Sequence, residues 1–115
     1  RTDEFAEALG FKRERLYVKF DEGSLTGTFK DRGAAVVAQL VAEFNRDGYK
    51  FKALGGTSTG NLASAIPAAA DKIGLKSIVL VHDAHLSEES ALVKKAMSFG
   101  AYVLVVMHLI QNSMT

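Results

Sequence analysis

The sequence contains no cysteine. Disulfides and thiolate metal sites are therefore excluded. That suits a reducing compartment, and a cytoplasmic location is the expectation. Net charge is also nearly absent: 14 Lys and Arg against 13 Asp and Glu leave +1. So balanced a chain has no electrostatic attraction for nucleic acid or an anionic membrane surface, and neither is expected as a partner. No apolar run is long enough to span a bilayer, and no basic-then-apolar signal segment opens the chain. Internal repeats, low-complexity tracts and linkers are missing too. There is one proline, Pro67. It falls inside an Ala-rich stretch that otherwise reads as helix, where it removes a donor and crowds the carbonyl of Ala63. An interior proline costs about 3 kcal/mol, so a kink or a later helix start is expected.

What is present is 115 residues, 48% of them hydrophobic, enough for one small domain with a modest core. The chain starts at Arg1 and already reads as helix through Phe5, Ala8 and Leu9. It stops at "HLIQNSMT", soon after an apolar strand, so a piece of a longer protein is expected. Between these ends, apolar runs alternate with helical patterns. Leu16-Tyr17-Val18-Lys19-Phe20 reads as a strand and Phe29 to Asn45 as a helix ended by Asp47-Gly48. In that helix Arg32, Gln39, Glu43 and Arg46 share a stripe, which predicts burial for most of its remaining surface. Phe51 to Leu54 reads as a strand, Asn61 to Ile73 as a helix, and Ser77 to Val81 as a strand covered on both faces. Ser87 is a plausible N-cap for a helix to Phe99, and Tyr102 to Met107 is a last strand. The order βαβαβαβ predicts an α/β fold: an open parallel sheet with helices on both faces and right-handed crossovers. Ligands in such sheets bind beyond the carboxyl ends of the strands. The polar loops Glu22–Thr28 and Gly55–Gly60 fall at that edge.

Two short stretches there carry candidate chemistry. "GGTSTGN", Gly55 to Asn61, is a Gly- and Thr/Ser-rich turn into a helix, and its free backbone N–H groups suit a carboxylate or phosphate. It keeps the glycine spacing of a nucleotide P-loop, but Asn61-Leu62 stands where that motif has Lys-Ser/Thr. The bland alternative is a plain turn with Thr57, Ser58 or Thr59 as N-cap. The second stretch is "SLTGTFKDRG", Ser24 to Gly33. With Thr28 as cap, Lys30 sits in the first helical turn, where the dipole disfavours a cation by about 0.3–1 kcal/mol. Such a place favours a neutral amine of the kind that forms Schiff bases. Alternatively Lys30 bends into solvent or pairs with Asp31 or Glu22.

Together, "TGTFKDRG" after one strand and "STGN" after the next resemble the fold-type II pyridoxal-phosphate enzymes, with threonine synthase the closest family. The likeness continues through "STGNLASAIPAAADKIGLKSIVLV", "LVKKAMSFGAYVLVV" and, upstream, "LGFKRERLYVKFD". It implies that residues 1–115 are the N-terminal-side portion of a two-domain enzyme. It implies that Lys30 holds pyridoxal phosphate covalently and moves protons at the substrate carbons. Asn61 would hydrogen-bond the cofactor's ring hydroxyl oxygen. Ser58, Thr59 and Gly60, with Thr57, would hold the substrate carboxylate. Asp31 and Arg32 would support the lysine, and Phe29 would pack beneath the cofactor region. The implied reaction converts O-phosphohomoserine and water to threonine and phosphate. A small amino-acid substrate and a homodimeric longer enzyme are the corresponding expectations. Other β-replacement and elimination enzymes of the superfamily (cysteine or cysteate synthase, serine/threonine dehydratase) are the nearest alternatives, and a non-catalytic anion-binding fragment is another. Leu25 replaces the family's usual proline, and Leu62 replaces a threonine common among relatives. The family's Gly-rich loop for the cofactor phosphate is missing from this stretch, so the piece alone is expected to be inactive.

Weaker signals are given structural roles. His82 and His85 flank Asp83, but no third metal ligand is evident and no metal is expected. His108 is read as structural or exposed, Met97 and Met107 as core, and Lys94-Lys95 as a solvated helix face.

Overall fold

The structure, a computed structural model, describes residues 3–58, 60–83 and 90–107. Its elements are α1 (Asp3–Ala8), α2 (Lys30–Arg46), β1 (Ala53–Thr57), α3 (Leu62–Lys72), β2 (Lys76–His82), α4 (Ser90–Ser98) and β3 (Ala101–Val106). The strands form one parallel sheet in the order β1-β2-β3. Leu54 pairs in register with Ser77 and Gly56 with Val79, while Val79 pairs with Val103 across the second ladder. Two crossovers that advance in the same direction place their helices on one face when both are right-handed. Accordingly Val79 and Val81 share a buried cluster with Ala63 of α3 and Ala96 of α4, joined by Val93, Ala101 and Val103. The other face carries half-buried Ile78 and Leu80 beside Tyr102 and Leu104, which are 58% and 53% exposed. The described helices leave it largely open. No described helix is long and apolar enough to cross a membrane.

Helix α2 packs on α3 through alanines. Ala34 and Ala38 meet Ala65, Ala69 and Ala70 over Leu54 of β1. Side chains this small let the two backbones come close, so the contact contributes by proximity rather than by bulk. The far end of α2 is tied to the entry of β1 by Asn45. Its Nδ2 donates to the Phe51 carbonyl at 2.9 Å, and its Oδ1 accepts from the Phe51 N–H at 2.8 Å. Phe44, Tyr49 and Phe51 form an aromatic cluster at the same corner, with Tyr49 and Phe51 stacked at 5.9 Å.

Three expectations change. Leu16–Phe20 does not join the sheet; Tyr17 is 89% and Phe20 70% exposed. An apolar alternation specifies a strand only where a neighbouring strand supplies the ladder. Second, Gly55, Gly56 and Thr57 belong to β1 rather than to the loop after it. Glycine is a poor strand former, but a Cβ on Gly56 would lie 2.6 Å from Ile66 Cδ1. The close seat of α3 on β1 therefore favours glycine there. Third, the broad burial expected for α2 is not met. Only Asp31, Ala34 and Ala38 are buried, and Val36, Val37, Leu40 and Phe44 are exposed. Pro67 lies inside α3, which spans Leu62–Lys72. Its ring is fully buried, and that apolar contact offsets the backbone penalty.

Candidate cofactor site

The lysine stretch folds as a compact turn ahead of α2. Ser24 Oγ donates to the Asp21 carbonyl, and the Gly27 N–H donates to the Ser24 carbonyl at 3.2 Å. Gly27 has φ +80, a left-handed conformation that side chains with a Cβ resist. Thr28 does not cap the helix: Phe29 holds the cap position without a side-chain hydrogen bond. Asp31 organises the turn instead. Its Oδ2 accepts from the Thr26 N–H at 2.6 Å, and its Oδ1 accepts from Thr26 Oγ1 at 2.5 Å. Burial acts to raise the Asp31 carboxyl. Hydrogen bonds from the Thr26 and Ser24 side chains and from the Thr26 and Thr28 backbone outweigh it and hold the group below the ordinary aspartate value.

Lys30 is the first residue of α2 and is exposed. Its Nζ lies 4.9 Å from the centroid of the Phe29 ring, a weak cation–π contact that leaves the amine accessible. It does not pair with Asp31, whose carboxylate is committed to Thr26. Lys30 lines a cavity of about 440 Å³ between α2 and β1, walled by Phe29, Val37, Leu54, Leu62 and Ile66. An amine at the wall of an apolar slot of this size fits a flat aromatic aldehyde.

The second stretch is the turn from β1 into α3. Thr57 ends β1 and is exposed, and the Ser58 N–H reaches the Leu80 carbonyl at 3.4 Å. Ser58 Oγ accepts from the Gly60 N–H at 3.1 Å. The Asn61 carbonyl accepts from Ser64 Oγ at 3.0 Å and from the Ala65 N–H at 3.1 Å. The Asn61 residue itself is exposed. Thr59 lies outside the described residues, as do His85, Ser87 and His108. Leu62, directly after Asn61, shares the cavity with Lys30. The fold thus brings Lys30 and the start of α3 to one cavity. Thr57, Ser58, Gly60 and Asn61 are not among the residues lining it.

One contact has no counterpart in the sequence reading. Lys95 of α4 donates from Nζ to the Thr26 carbonyl at 2.6 Å, across 69 positions of chain. It is therefore not part of a solvated face, although its neighbour Lys94 is exposed. Met97 and Met107 are also exposed, at 58% and 76%, rather than core.

A family model described as pyridoxal-phosphate dependent enzyme matches residues 1–114. The chain belongs to the pyridoxal-phosphate-dependent enzyme family. Pyridoxal phosphate is that family's cofactor, and the open parallel sheet is the family's fold. Among relatives of this family, a threonine synthase of Synechocystis is 32% identical over 88% of this chain and 24% of its own length. A threonine synthase of Methanocaldococcus jannaschii is 32% identical over 92% of this chain and 24% of its own. The chain therefore spans about a quarter of these curated relatives. The crystal structure of Escherichia coli diaminopropionate ammonia lyase, with an aminoacrylate–PLP azomethine reaction intermediate, superposes with a TM-score of 0.63. It is 25% identical and covers 92% of this chain and 28% of that one.

Proposed function

We propose that this chain supplies the lysine-bearing part of a pyridoxal-phosphate-dependent lyase of the threonine synthase type. The reaction is that of O-phosphohomoserine and water to threonine and phosphate. The observation that carries the reading is Lys30, an accessible amine at the start of α2 on the wall of an apolar cavity. The relatives' names support the particular reaction.

Bound at this cavity, pyridoxal phosphate supplies an electron sink for the pair left behind when a substrate carbon loses its proton. The chain's own residues do the rest. Lys30 would hold the cofactor covalently, and its amine would take and return protons at the substrate carbons. The Asn61 amide hydrogen-bonds the ring hydroxyl oxygen. Thr57, Ser58, Thr59 and Gly60 hold the small substrate's carboxylate with hydroxyl and backbone N–H groups. The Gly60 N–H is already engaged by Ser58, so a bound carboxylate takes over that donor. Phe29, Leu54 and Ile66 exclude water from the ring's apolar face.

The test uses the longer protein that carries this chain. Incubation with pyridoxal phosphate, borohydride reduction and peptide mapping are expected to place the label on Lys30. Phosphate release from O-phosphohomoserine is expected to fall by about 100-fold or more in Lys30→Ala. No label on Lys30 would sink the cofactor reading. Label without turnover of O-phosphohomoserine would move the enzyme to another elimination or replacement reaction, such as that of the ammonia lyase neighbour.

A further inference from the structure

The Thr26 backbone and side chain are held from two directions. On one side its N–H and Oγ1 donate to Asp31, the residue directly after Lys30. On the other its carbonyl accepts from Lys95 Nζ at 2.6 Å. With Lys95 in place Thr26 is 6% exposed. A hydrogen bond from a charged donor to a buried acceptor is among the stronger kinds. The anion on α2 and the cation on α4 thus grip the same residue through different atoms.

Three residues separate Thr26 from Lys30, and the turn between them includes Gly27 in a left-handed conformation. Among the described residues, the other hydrogen bonds of Ser24 to Thr28 are local. Phe29 is 63% and Leu25 45% exposed, and the local hydrogen bonds of Ser24 and Gly27 stay within the turn. Helix α4, by contrast, is seated on the sheet through Ala96, which is fully buried beside Val79 and Val81. Lys95 adjoins Ala96, so its stem starts from a fixed point.

We propose that Lys95 is a positioning residue for Lys30. From α4 it clamps the Thr26 carbonyl and so holds the Thr26–Asp31 pair, and with it the start of α2, in the place the cofactor amine requires. This rests on the reading of Lys30 as the cofactor lysine. It adds to that reading a link from the lysine turn to the crossover between β2 and β3.

The experiment compares Lys95→Met, Lys95→Arg and Lys94→Met in the longer protein. Three quantities are read: amide hydrogen exchange at Thr26 and Gly27, the dissociation constant for pyridoxal phosphate, and the thermal unfolding midpoint. Lys95→Met is expected to speed exchange at both amides about tenfold, equivalent to about 1.4 kcal/mol of local protection. It is also expected to weaken cofactor binding about tenfold, with the unfolding midpoint close to that of the unaltered protein. Lys95→Arg keeps a cationic donor and is expected to restore exchange and binding, while Lys94→Met changes neither. Unaltered exchange in Lys95→Met overturns the proposal. So does faster exchange with unaltered cofactor affinity, or an equal effect in Lys94→Met. Failure of the underlying function shows separately, as no borohydride-trapped label on Lys30 in the unaltered protein. The exchange measurement then still decides whether Lys95 holds the turn.

Discussion

Asp31 sits between two opposed effects: burial, which raises its carboxyl, and hydrogen bonds from Thr26, Ser24 and Thr28, which lower it further. The lowered value means that folding favours the ionised form. Its contribution to stability is therefore fully present above the ordinary aspartate value of 3.8 and is lost as pH falls through the lower folded value. Acid unfolding followed by circular dichroism is expected to show that loss in the unaltered protein and a shallower acid limb in Asp31→Asn. At neutral pH, Asp31→Ala strands the Thr26 N–H and hydroxyl. It is expected to lower stability by about 1–3 kcal/mol in urea titration. A supporting role for Asp31 was legible in "FKDRG" through the family resemblance. Its partner was not, because any of Ser24, Thr26 and Thr28 offers a hydroxyl at short range. Lys95 was less legible still, since nothing in "LVKKAM" distinguishes it from Lys94. Only the seating of α4 on the sheet turns one of the two lysines toward Thr26.

Among the elements, β1 and α3 depend on each other most directly. A Cβ on Gly56 would lie 2.6 Å from Ile66 Cδ1, so Gly56→Ala pushes the end of one flexible side chain. A loss of about 1–3 kcal/mol is expected. Ile66→Val removes the clashing methyl, and the double variant is expected to be less destabilised than the sum of the two single changes. A thermodynamic cycle from urea unfolding measures the difference, and strict additivity would show that the two residues do not share this space. Periodicity located all three strands of the observed sheet within a few residues, since each is a short apolar run next to a helix. It extended the loop back to Gly55, because glycine pairs read as turns when no packing partner is visible. It also promoted Leu16–Phe20 to a strand, since alternation records a preference for extended backbone and says nothing about a ladder partner.

At the scale of the whole molecule, the described residues bury few large side chains. The largest fully buried ones are Val79, Val81 and Pro67, while Val36, Val37, Leu40, Phe44, Tyr102 and Leu104 are all 44% exposed or more. The radius of gyration is 19.1 Å, against about 13 Å for a compact chain of roughly this size. So much open apolar surface is expected to make the isolated 115-residue chain bind the dye ANS strongly and self-associate in sedimentation. ANS fluorescence no higher than that of a compact soluble protein would contradict this. The isolated chain is also expected to release no phosphate from O-phosphohomoserine, because it spans 24% of its threonine synthase relatives. Turnover by the chain alone would refute that.

The sequence by itself determined the α/β class, the family, and the lysine on which the functional reading turns. Each of these rests on local pattern: alternating short apolar runs and helical periods, and two motifs that each span ten residues or fewer. The tertiary structure decided what those motifs touch. It put Gly56 under Ile66, joined Lys30 to the start of α3 at one cavity, and tied the lysine turn to α4 through Lys95. Such contacts follow from strand register and helix seating, and no spacing along the chain encodes which of two neighbouring lysines turns inward.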